Sequence, residues 1–191
     1  LYDSFCDNGC SLEETQQQQV KDISFRLGQL RLDFVNNVLA DRQQFIKCIT
    51  EEEAHGLPDS WKIQARAEAH DRGYSEGYLV TLDFSRLLPV LTYSHNRALR
   101  EELYRAMMSL GCQDNANNTQ DIIREIAQLR RQKAQLFGYD TYADYVLMRR
   151  MAQSREEVEE FLDTLTYTVR PYADTDIACI QKYASQDGVY E

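Results

Sequence analysis

The residues best suited to chemistry are three histidines, five cysteines and one G-x-S-x-G run. Gly73-Tyr74-Ser75-Glu76-Gly77 has the form of a hydrolase nucleophile elbow. That elbow needs a strand before the serine and a helix after it. Here a helical pattern through Arg72 comes before the motif, and the β-rich run Tyr78 to Leu82 follows it. The order is inverted, and a helix-to-strand turn would select the same two glycines. Ser75 is therefore given no catalytic role. His55 stands two residues from Glu53 and His70 two from Glu68, so each pair falls on different faces of a helix. His95 precedes Asn96 at a helix start. All three are read as surface or capping histidines, since a metal or general-base role needs a convergence the sequence does not display. Cys6 and Cys10 are four apart and could share a helix face, but two thiols do not close a zinc site. Cys48, Cys112 and Cys179 are scattered. Reduced thiols, no structural metal and a cytoplasmic location are the expectation. There is no G-x-G or G-K-[ST] phosphate loop. Asn117-Asn118-Thr119 fits a glycosylation sequon, a short match that the cytoplasmic reading sets aside.

The net charge is -10, from 21 Lys+Arg against 31 Asp+Glu. Nucleic acid is excluded as a main partner, because phosphate binding needs a clustered basic surface. Arg130, Arg131 and Lys133, and the pair Arg149 and Arg150, are read as solvated helix faces. No apolar run approaches the ~18 residues of a membrane span, so no membrane partner is expected. A hydrophobic share of 43% with three prolines fits a helical globular chain. The chain begins at Leu1 rather than Met and is read as a piece of a longer protein.

The elements that would carry these residues are mostly helices. Ser11 and Glu14 have capping-box spacing. From there Val20, Ile23, Leu27, Leu30 and Phe34 form one apolar stripe, continued by Val38, Phe45 and Ile49. Phe25, Leu32, Val35 and Leu39 form a second, which predicts a helix covered on two sides and about 60 Å long if unbroken to Thr50. Gly56 and Pro58 end it. Asp59 or Ser60 caps a short helix to Arg72, with Gly73 as its stop. Tyr78 to Leu82 is the one strand candidate. Leu88-Pro89-Val90-Leu91 is apolar but interrupted. A helix from Asn96 to about Leu110 turns Ala98, Leu99, Leu103, Ala106 and Met107 inward. A polar loop, Gly111 to Asn118, precedes a helix that Thr119 or Asn118 caps and Gly138 ends. Ile122, Ile126, Leu129 and Leu136 form its inner side. Thr141 opens a short helix through Met151. Ser154 and Glu157 form a second capping box, before a helix carrying Val158, Phe161, Leu162, Leu165 and Val169. Pro171 is expected to kink or break that helix, with helical pattern resuming to the end. Tyr139, Tyr142 and Tyr145 read as a packed aromatic corner or, alternatively, as a substrate-groove wall.

Three blocks carry a family resemblance. They are LRLDFVNNVL (Leu30 to Leu39), continued by Ile49 to Glu53 and Gly56-Leu57-Pro58; GYLVTLDFSRLLPVLTYSHNRALREELYRA (Gly77 to Ala106); and NTQDIIREIAQLRRQKAQLFGYDTYADY (Asn118 to Tyr145), followed by Met151-Ala152. In this order and spacing they resemble the thimet-oligopeptidase-like family of zinc metallopeptidases over roughly four fifths of the chain. The family pattern has a proline where Ser85 follows Asp83-Phe84, and the loop from Gly111 to Asn117 is shorter than in some relatives.

The resemblance implies a mainly α fold of packed long helices with one short strand or hairpin, part of a two-lobed helical enzyme around a deep channel. It implies hydrolysis of short peptide substrates by one zinc ion, held by the two histidines of an HExxH helix and a distant glutamate. His55 is followed by Gly56, His70 by Asp71 and His95 by Asn96, so no histidine here opens that motif. No catalytic, cofactor-binding or metal residue is carried over. Residues 1–191 are expected to be an N-terminal helical portion lacking the zinc domain, inert and zinc-free by itself, and prone to self-associate through apolar surface. A peptidyl-dipeptidase of the same family, and a non-catalytic helical interaction module, remain the alternatives.

Overall fold

The structure, a computed structural model, describes residues 5–6 and 9–186. Within them the chain is mainly α: seven helices and one two-stranded antiparallel sheet. The order is α1 (Glu14–Gln44), β1 (Ile46–Ile49), α2 (Asp59–Asp71), β2 (Tyr78–Thr81), α3 (Phe84–Tyr93), α4 (Arg97–Met108), α5 (Gln120–Leu136), α6 (Tyr142–Leu147) and α7 (Arg155–Gln186). The helical pattern expected over residues 187–191 lies outside the described residues.

The chain divides into two compact units, residues 21–129 and residues 1–20 with 130–191. The first unit holds the hairpin. β1 and β2 pair with Ile46 opposite Thr81 and Ile49 opposite Tyr78. All four residues of β2 are buried, as a continuous apolar run covered on both faces should be. α2 and α3 pack on it. Ile49, Trp61, Ala65, Val80, Leu82, Val90, Leu99 and Leu103 form the centre of one continuous core. The Trp61 indole N–H donates to the Arg86 carbonyl at 3.1 Å, so the ring is buried with its polar atom satisfied. In the second unit, Phe137 stacks on Tyr145 with ring centroids 4.9 Å apart, and Tyr139 and Tyr142 close on the same ring. This is the packed aromatic corner.

Several expectations need correction. α1 stops at Gln44, which makes it about 46 Å long, and Ile46 to Ile49 leave the helix for β1. The β-branched Ile46 and Ile49 suit a strand, and β2 offers the segment a ladder. Only the first apolar stripe of α1 is buried, at Val20, Leu27 and Leu30; Phe25, Leu32, Val35 and Leu39 stay exposed. Glu13 rather than Ser11 accepts the first helical bond, from the Gln17 N–H. Pro58 occupies the cap position of α2. Leu88 to Leu91 lie inside α3, despite Pro89. Ala98 is exposed on α4. α6 ends at Leu147 rather than Met151. Pro171 does not break α7: the carbonyl it leaves unbonded belongs to Tyr167, an exposed residue whose backbone water can reach. Thr141 and Ser154 cap their helices as expected, each accepting a backbone N–H three residues on, and Asn96 caps α4 in the same way.

Candidate functional site

Two concave features of the first unit adjoin on the outer face of α2. One hollow of about 570 Å³ is lined by Cys48, Arg66, His70, Tyr74, Ser75 and Tyr78 among others. A neighbouring one shares Glu51, Arg66, His70 and Tyr78 and adds Asp59 and Lys62. Helical spacing explains the alignment, because Asp59, Lys62, Arg66 and His70 recur every three or four residues on one face. Glu51 enters from the β1–α2 turn, and Tyr78 opens β2.

Glu51 is the centre of this face. Its carboxylate accepts from Tyr78 Oη, from Arg66 Nη2 at 2.9 Å and from Lys62 Nζ at 3.1 Å. Arg66 also donates to the Tyr78 hydroxyl and lies over its ring, 4.7 Å from the centroid. The hydrogen bond from Tyr78, then that from Lys62, holds the Glu51 carboxyl below its usual range. Burial first, and donation to Glu51 second, push the Tyr78 phenol up. Glu51 is thus fixed as an anion and Tyr78 as a neutral phenol, and neither is poised to exchange a proton near neutrality. The cluster sets two cations against one carboxylate and braces the hairpin against α2.

Ser75 and His70 line the same hollow. Ser75 sits, as the inverted order of elements requires, in a turn between helix and strand. Gly77 in that turn has φ +97°, and a Cβ there would stand 2.7 Å from both Cys48 Sγ and the Ile49 carbonyl. The two glycines serve the turn. All five cysteines are free, and burial and a hydrogen bond with Cys6 push the Cys10 thiol up. Among the described residues no three His, Cys, Asp or Glu side chains converge as a metal site. The residues present therefore do not fit a peptidase zinc centre. One convergence escaped the sequence reading. His55 and His95, 40 residues apart, bring their Nδ1 atoms to 3.2 Å. No local spacing signals such a pair.

The fold is mainly helical, and the three family blocks run through it in order. The profile of peptidase family M3 matches residues 90–191, and the chain belongs to that family. Among its relatives, oligopeptidase A of Salmonella typhimurium is 36% identical over 96% of the chain, which spans 28% of that protein. The probable cytosolic oligopeptidase A of Arabidopsis thaliana is 34% identical over 96% of the chain and 27% of its own length. Dipeptidyl carboxypeptidase of Escherichia coli is 24% identical over 95% of the chain and 27% of its own length. The chain thus spans little more than a quarter of each of these relatives.

Proposed function

We propose that the chain is the helical scaffold portion of a longer zinc-dependent oligopeptidase, building one wall of the channel that admits short peptides. The observation that carries this reading is the 36% identity to an oligopeptidase A sustained along 96% of the chain. The exposed apolar residues of α1 and α7 support it, since a larger helical protein would cover such faces. Zinc and peptide hydrolysis belong to the longer protein, because no HExxH occurs in these residues. The free cysteines support a cytoplasmic location, which fractionation of cells with an antibody against the chain would check.

The test has two arms. The purified 191-residue chain should not cleave a blocked fluorogenic peptide. The product of the full reading frame should cleave it and lose activity to a chelator. Chelator-sensitive cleavage by the short chain, or inertness of the whole product, would overturn the proposal. Endopeptidase and peptidyl-dipeptidase activity are separated by the products. Internal cuts in a C-terminally amidated peptide favour the first, and release of C-terminal dipeptides from a free-ended one favours the second.

A further inference from the structure

The His55–His95 pair is independent of the proposed peptidase role, and its surroundings are built rather than incidental. His55 lies in the turn between β1 and α2. That turn is closed by a reciprocal pair of bonds, Thr50 N–H to Glu53 Oε2 at 3.0 Å and Glu53 N–H to Thr50 Oγ1 at 3.2 Å. Ala54 and Leu57, on either side of His55 and Gly56, are both buried and anchor the turn in the core. His95 lies in the connection between α3 and α4. Ser94 before it is buried, and Asn96 after it caps α4 by accepting from the Leu99 N–H at 3.1 Å. The two backbones meet directly, with the His95 N–H donating to the His55 carbonyl at 3.3 Å. Their approach leaves no room for a side chain between them. A Cβ on Gly56 would stand 2.5 Å from the Tyr93 carbonyl oxygen and 2.7 Å from the His95 ring.

The rings stand edge to face, with centroids 5.0 Å apart and planes at 61°. The Nδ1 separation of 3.2 Å lets one imidazole donate its proton to the other. It is also the bite of two imidazoles on one metal ion. Metal–nitrogen bonds of about 2.0–2.1 Å place the two nitrogens about 2.9 Å apart at a right angle and about 3.3 Å apart at a tetrahedral one. The observed distance falls between these limits. A modest tilt of each ring would aim both lone pairs at a common point.

We propose that His55 and His95 form a two-imidazole site for a late first-row divalent transition-metal ion. The ion replaces the proton the rings share, and because both rings are exposed, water completes its coordination. Imidazole nitrogens suit Ni²⁺, Cu²⁺ and Zn²⁺ and discriminate against Mg²⁺ and Ca²⁺, which prefer oxygen. Binding would clip the β1–α2 turn to the α3–α4 connection. It would stabilise the first unit by mass action, since the unfolded chain does not hold the two rings together.

Ni²⁺ is the suitable probe, because Cu²⁺ would oxidise the free thiols. Calorimetric titration of the whole chain at mildly alkaline pH should show one Ni²⁺ per chain. His55→Ala and His95→Ala should each weaken binding at least roughly tenfold, the lower bound seen when a metal site loses even a supporting partner. His70→Ala and Cys10→Ser should leave it unchanged. The unmodified protein gives a second readout that does not depend on any variant folding. In its NMR spectrum, Ni²⁺ should broaden the ring signals of two histidines and spare the third. Equal broadening of all three, or an affinity untouched by both His55→Ala and His95→Ala, would overturn the proposal.

Discussion

Glu51 shows how a single carboxylate can set the acid limit of the hairpin face. Its folded pKa lies below the unfolded value. Its contribution is therefore present above about pH 4.3, the ordinary glutamate value, and is lost as pH falls through the depressed folded value. Glu125, held down chiefly by the Arg26 hydrogen bond, acts in the same direction. Glu51→Gln should flatten, without abolishing, the loss of thermal stability below about pH 4.3. The difference should shrink in high salt, because both carboxylates are open to solvent. An unchanged acid limb would mean that the Tyr78 and Lys62 bonds do not persist in solution. The two motif glycines give a second test at this scale. Both have positive φ, but a Cβ on Gly73 meets nothing within 4 Å, whereas one on Gly77 collides with Cys48 and Ile49. Gly73→Ala should cost about 1–2 kcal/mol for the left-handed backbone alone, and Gly77→Ala should cost more. Urea midpoints compare the two directly. The role of these glycines was legible in the sequence, because the order of the flanking elements was. The His55–His95 contact was not, because it depends on how two separate turns pack.

At the scale of elements, the caps and stops were readable because they are local chemistry. The Thr141 and Ser154 oxygens bond where their spacing says they should. β1 was missed because Phe45 and Ile49 continue the helical stripe of α1 by period alone, while the strand exists only through its pairing with Tyr78 to Thr81. Pro89 and Pro171 both sit inside helices, which tolerate proline where the freed carbonyl reaches water. Another tie between elements left no sequence signal. Asp41, buried near the end of α1, accepts from the Gly111 N–H at 2.8 Å and from Asn115 Nδ2 at 2.8 Å, holding the loop before α5. Asp41→Ala strands a buried N–H and should destabilise the chain by about 1–3 kcal/mol. The urea midpoint should fall with an unchanged slope if the loop stays folded. A change within experimental error would show that water replaces the carboxylate there.

At the scale of the whole molecule, the apolar residues on α1 and α7 are the main feature. Phe25 is 70% exposed, Phe161 65%, Tyr172 72% and Ile180 66%, which is unusual for side chains of this size. The purified chain should bind a hydrophobic dye and show a scattering mass that rises with concentration. A monodisperse monomer without dye binding would count against the larger-protein reading. The family was legible because ordered blocks survive substitution. The exposed faces were not, since a stripe on a helix predicts that something covers it and does not say whether this chain supplies the cover.

The exposure of α7 has a consequence in time as well as in surface. The helix runs for 32 residues, and none of them is buried. Its backbone bonds therefore gain little from tertiary packing, the source of most helical stability in proteins. In deuterated solvent, the amides of α7 should exchange far sooner than those of β2, whose opening requires the core around Leu103 to come apart. On the proposed reading of a longer oligopeptidase, adding the rest of that protein should slow exchange in α7 selectively, and the amides that slow would mark the covered face of the helix.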